Sequence, residues 1–196
     1  MSSSYNPFGL RPAYNSSGIV RPGPVGQIES GYATSIFQGY PVVIATDGYM
    51  TAAAAGDDTL WNGCFSGVEY NDLATGRRFY LNHWTAAVTL PSVGADMRAY
   101  YTADDVGMVY EIQANDTLTI AAIGEQYDFE TLSGNSTTGL ASMGLDVATA
   151  VGAGDQGQMR VIGLRRGPDN DWGDAFPIVL VQNAAHPWVA RVNVQA

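Results

Sequence analysis

The sequence predicts an all-β protein, a compact antiparallel β-barrel or sandwich with little helix, preceded by an extended N-terminal arm. Three observations predict it. Apolar residues recur at every second position in short runs, the signature of half-buried strands. Glycine (23) and proline (9) break those runs with turns throughout the 196 residues. Only 14% of positions are charged while 46% are apolar, which suits one globular core.

The arm takes in residues 1–30 and the β-rich domain residues 31–196. Pro7, Gly9, Pro12, Gly18, Pro22, Gly23, Pro24 and Gly26 are too many breakers for a helix or a central strand. Yet Tyr5, Phe8, Leu10, Tyr14, Ile19 and Val20 are more apolar anchors than a solvated linker needs, so the arm should dock on its own body or on a neighbouring subunit. Strands are expected at Pro41 to Ala45, Gly63 to Tyr70 and Arg78 to His83. Clear alternation follows in Met97, Ala99 and Tyr101, in Met108, Tyr110 and Ile112, and in Leu118, Ile120 and Ala122. Further strands are expected at Met159 to Leu164, Ile178 to Gln182 and Val189 to Val194. Turn signals such as Asp47-Gly48, Thr75-Gly76 and Gly167-Pro168-Asp169-Asn170 separate them. Ala52 to Ala55 and Leu140 to Ala150 alone tolerate helix.

Nineteen acidic residues against nine arginines and no lysine give a net charge of -10. The missing lysine removes Schiff-base catalysis and the phosphate-cradling lysine of Walker loops. An acidic surface repels a phosphate backbone unless its basic groups are segregated, so no nucleic-acid partner is expected. The doublets Arg77-Arg78 and Arg165-Arg166 would split between opposite faces of a strand. The single Cys64 excludes an intramolecular disulfide and reads as a small core hydrophobe. No signal-like opening and no bilayer-length apolar run occurs, so the reading is a soluble chain, not exported by a cleaved signal, without a membrane partner.

The chemistry-bearing motifs favour structural readings. Gly152-Ala153-Gly154-Asp155-Gln156-Gly157 has the spacing of a dinucleotide loop, but the strand pattern Met159-Arg160-Val161-Ile162 follows it instead of a helix. Asp169-Asn170-Asp171-Trp172-Gly173-Asp174 gathers oxygen donors as calcium loops do, yet Asp174 and Leu180 stand where an EF-hand needs Gly and Glu. His83 and His186 are the only histidines, so a three-histidine zinc site is impossible. Gly139-Leu140-Ala141-Ser142-Met143-Gly144 has the wrong spacing for a nucleophile elbow. Asp57-Asp58 and Asp104-Asp105 read as solvated turn carboxylates rather than a glycosidase pair. No catalytic, metal or cofactor site is therefore assigned. Trp61, Trp84, Trp172 and Trp188, with eleven tyrosines, suit core packing, a subunit interface or a sugar-stacking platform.

Several segments together resemble a known family. Asn6-Pro7-Phe8-Gly9-Leu10-Arg11-Pro12, the stretch Tyr32 to Val43 ending in Gly39-Tyr40-Pro41-Val42-Val43, and Gly139 to Asp146 carry the likeness. So do Gln158 to Leu164 and Pro168-Asp169-Asn170-Asp171-Trp172-Gly173-Asp174 through Val179-Leu180-Val181. They resemble the capsid decoration, or cement, proteins of tailed phages, and Tyr40 departs from the family pattern, which has an acidic or small polar residue there. The resemblance implies a β-rich domain bound outside a major capsid protein lattice in the virion, commonly as a homotrimer, with a dimer as the alternative and no cofactor. Tyr5, Pro7, Phe8, Leu10 and Arg11 of the arm are then the expected contacts to the capsid or a neighbouring subunit. Closing the open end of their own barrel is the competing use of these side chains. Two rival functions stay open: a surface module adhering to host glycans, favoured if aromatic residues are exposed, and a virion-associated hydrolase, which needs a cleft with paired catalytic groups.

Overall fold

A run that alternates apolar and polar residues buries one face only if its backbone groups find partners in a neighbouring strand. The computed structural model, which describes residues 4–16, 18, 25–56, 59–91, 97–102, 105–151 and 156–187, shows how this chain meets that demand. In chain order the strands are β1 (Arg11–Asn15), β2 (Val25–Gly26), β3 (Pro41–Ile44), β4 (Met50–Ala52), β5 (Gly63–Asn71), β6 (Arg78–Leu81) and β7 (Arg98–Tyr101). They continue with β8 (Met108–Gln113), β9 (Gln126–Phe129), β10 (Gly134–Asn135), β11 (Leu140–Ala141), β12 (Leu145–Asp146), β13 (Met159–Leu164) and β14 (Ile178–Asn183).

Two six-stranded sheets form a sandwich rather than a closed barrel. One has the order β1-β8-β14-β13-β9-β12; the other runs β2-β7-β5-β3-β4, with β6 also paired to β5. All the strand pairs of both sheets are antiparallel. One cluster of buried apolar side chains draws on both sheets, with Trp61 against Tyr110 and Phe129 at ring distances of 5.4 and 5.3 Å. No α-helix occurs among the described residues.

Three expectations change. The run Leu118, Ile120, Ala122 is not a strand: Ile120–Ala122 forms a 3-10 turn in which Ala122 N–H donates to Thr119 O at 2.9 Å. Leu118 and Ala122, four apart, are buried, while Ile120 between them is 67% exposed, a spacing that alternation misreads. Leu140 to Ala150 is not a helix but two short strands followed by a 3-10 turn at Val147–Thr149, capped by Asp146. Ala52 likewise closes β4. The expected strand at Val189 to Val194 lies outside the described residues, as do Trp188, Asp57-Asp58, Asp104 and Gly152 to Asp155.

Candidate functional site

The opening segment cannot satisfy its own hydrogen bonds, because its prolines and glycine deny it a helix, so its amides need outside partners. It finds them on the body of its own chain. Gly9 N–H donates to Met143 O at 3.0 Å, Leu10 N–H donates to Gly39 O at 2.8 Å, and β1 pairs with β8 as an edge strand. Gln113 clamps the start: its Oε1 accepts from Asn6 N–H at 2.9 Å and its Nε2 donates to Ser4 O at 3.0 Å.

The five expected contact residues thus divide. Leu10 is 2% exposed in the core, and its carbonyl accepts from the Cys64 thiol at 3.2 Å. Tyr5 packs on Phe176 with ring centroids 5.3 Å apart and donates its hydroxyl to Glu130 Oε2. Burial, then that bond to a carboxylate, pushes the Tyr5 phenol up. Pro7 and Phe8 are half-buried and Arg11 is exposed, with its guanidinium 4.3 Å from the Phe8 ring centroid and 3.9 Å from Glu111. The segment is a strap whose inward residues fasten it and whose remaining residues face a groove.

Gly9 makes the strap possible. Its φ is +72°, and a Cβ there would stand 2.5 Å from Ala141 Cβ and 2.7 Å from Gly39 O. At Gly39, with φ +98°, a Cβ would stand 3.1 Å from Phe8 O in the same knot.

The groove has a volume of about 670 Å3. Pro7, Phe8 and Arg11 of the strap line it, together with Gln38, Ser66, and Asn135 and Leu140 of the β10–β11 hairpin. Leu140 is 47% exposed there. Sequence reasoning missed Gln38, Ser66, Asn135 and Leu140, although Gln38 and Leu140 lie inside segments that carry the resemblance. Gln38 N–H donates to Gly139 O at 2.9 Å and Ala141 N–H donates to Gln38 O at 2.9 Å. Three segments distant in sequence, Asn6 to Pro12, Tyr32 to Val43 and Gly139 to Asp146, therefore meet in one knot.

The other candidates resolve into structure. Asn170 is buried, donates to Arg165 O and Ile178 O at 2.7 and 2.8 Å, and accepts from Ile178 N–H at 2.8 Å, so it pins the β13–β14 hairpin. His83 stacks on Phe37 at 5.9 Å, and His186 is buried. Trp61 and Trp84 are fully buried, whereas Tyr80 on β6 is 71% exposed. Among the described residues no three His, Cys, Asp or Glu side chains come together as metal ligands.

Fold and site together define a β-sandwich with a strapped surface groove. No family model, no curated protein and no solved structure matches the chain.

Proposed function

We propose that this chain is a virion structural protein that binds the outside of an assembled major capsid protein lattice and stabilises the head, working as a homotrimer. The observation that carries the reading is the knot: three of the segments that resemble decoration proteins converge on one groove, joined by main-chain bonds. Its lining of Pro7, Phe8, Arg11, Gln38 and Leu140 mixes apolar surface with donors and acceptors, as a docking surface requires. A clip that binds the assembled shell in preference to separated subunits stabilises that shell by mass action. Several weak contacts on one oligomer add by raising effective concentration.

The test mixes purified protein with capsids lacking it and measures occupancy and resistance to heat. Saturable binding with raised heat resistance, diminished by Leu140→Asp in the groove wall, is the expected result. A protein that leaves such shells bare yet cleaves a polysaccharide or an ester is a hydrolase instead. A second reading, adhesion to glycans, draws support from the exposure of Tyr80.

A further inference from the structure

Away from the strap, the solvent face of the second sheet carries a cluster that neither folding nor the groove uses fully. Direct pairing of Glu69 with Tyr80 on β6 and with Arg98 on β7 puts all three side chains on one face. Glu69 Oε1 receives three donors: the Tyr100 hydroxyl at 2.9 Å, Arg78 Nη2 at 3.3 Å and Arg98 Nη1 at 3.4 Å. The Glu69 side chain is only 9% exposed, whereas that of Arg98 is 62% exposed and Tyr80 is 71% exposed.

The chemistry is lopsided. Two guanidiniums share one carboxylate, leaving a local positive charge on a chain whose net charge is -10. Arg98 touches Glu69 through one nitrogen, so the rest of its donor fork faces solvent, set for a second carboxylate. All three of these contacts fall on Oε1, which leaves Oε2, among the described residues, as an acceptor beside the donors. Beside it lies the bare Tyr80 ring, with the Arg78 guanidinium 5.8 Å from its centroid.

We propose that this face binds a carboxylate-bearing saccharide. The C–H face of a pyranose stacks on Tyr80, its carboxylate takes the free edge of the Arg98 fork, and a ring hydroxyl donates to Glu69 Oε2. Size favours a sugar over a protein partner. The cluster spans three strands, about 10 Å across, whereas a stable protein interface needs on the order of 800 Å2 from each side.

The probe is trigalacturonate, with the uncharged galactose trimer as its neutral counterpart, titrated calorimetrically into the full chain. Saturable binding with Kd below about 1 mM is expected, weakened about tenfold in Tyr80→Ala, in Arg98→Gln and with the neutral trimer. Both substitutions sit on exposed side chains, and Glu69 keeps Arg78 and the Tyr100 hydroxyl, so the thermal midpoint should change little and the occupancy of capsids should not change. No saturable binding of trigalacturonate up to about 10 mM, or binding in both variants as tight as in the unaltered chain, overturns the proposal. It is also overturned if the variants dissociate an oligomer or lose capsid occupancy, because the face is then a protein contact.

Discussion

The Trp61 indole N–H donates to the main-chain carbonyl of Gln158 at 2.8 Å, tying the segment that leads into β5 to the segment that leads into β13. Both residues are fully buried. The Gln158 side chain completes the link between the sheets. Its Nε2 donates to Ala54 O and Thr59 O at 2.8 and 3.2 Å, and its Oε1 accepts from Gly56 and Phe129 N–H, both at 3.2 Å. Its own N–H donates to buried Asp128 at 3.0 Å.

Removing that amide orphans main-chain groups on both sides of the sandwich, and a buried group without a partner costs its full desolvation penalty. Gln158→Ala should lower the unfolding free energy by about 3 kcal/mol, read from the denaturant midpoint at unchanged slope. Gln182→Ala, at a half-buried position of β14, is the control and should cost less than about 1 kcal/mol. Equal losses in the two variants would show that Gln158 is merely a space-filler.

The two buried tryptophans should respond differently to the same change. Trp61 Nε1 has the Gln158 carbonyl, while the buried Trp84 Nε1 has no hydrogen-bond partner among the described residues. Substitution by Phe removes similar volume at each site, but at Trp61 it also removes one of the two donors to the buried Gln158 carbonyl, the other being Ala184 N–H at 3.0 Å. Trp61→Phe should therefore cost about 1 kcal/mol more than Trp84→Phe in equilibrium unfolding.

Much of the sandwich was legible because alternation reports one buried face. Met159 to Leu164 coincides with β13, and Gly63 to Tyr70 falls one residue short of β5. Legibility fails where other forces set the pattern. β9 alternates polar and apolar residues over only four positions, Gln126 to Phe129, and Asp128 is buried where that pattern predicts solvent, because its carboxylate serves Gln158. Ile120 points outward from a 3-10 turn, because local hydrogen bonds rather than a partner strand shape that segment. At the groove, the apolar anchors and breakers of the strap stand out in the sequence. Gln38, Ser66 and Asn135 do not, since a neutral polar residue looks the same in a turn as on the wall of a site.

Burial should make the protein sensitive to alkali. Desolvation pushes the Cys64 thiol and the Tyr40 phenol up to about 12 each, and it raises Tyr70 and Tyr127 too. The folded chain keeps protons that the unfolded chain has released, so the unfolded state binds fewer protons and stability falls as pH rises. The loss should begin near the ordinary thiol value, about 8.5, and continue toward pH 12. A melting midpoint that drops through this range, with the phenolate absorbance of the buried tyrosines appearing late and together with unfolding, is expected. Full phenolate absorbance near pH 10 in a chain that still has native circular dichroism would contradict it.

The strap offers the sharpest test, because it covers a reporter. Cys64 is buried and donates to the Leu10 carbonyl, so a thiol reagent can reach it only when the strap lifts or the chain unfolds. Deleting residues 1–12 removes Leu10, whose burial contributes about 2 kcal/mol, together with the Tyr5–Glu130 latch. The thermal midpoint should fall by about 5–10 °C, and Cys64 should react at least about tenfold faster under native conditions. Gly9→Ala should reproduce part of both effects, since its Cβ meets Ala141 and Gly39 O in a left-handed backbone, at a cost of about 2 kcal/mol. Adding Ala141→Gly removes one of those two contacts, so the double variant should recover part of the loss, a coupling that independent sites would not show. If truncation left the midpoint and the Cys64 rate unchanged while abolishing capsid occupancy, the strap would serve a partner rather than its own sandwich.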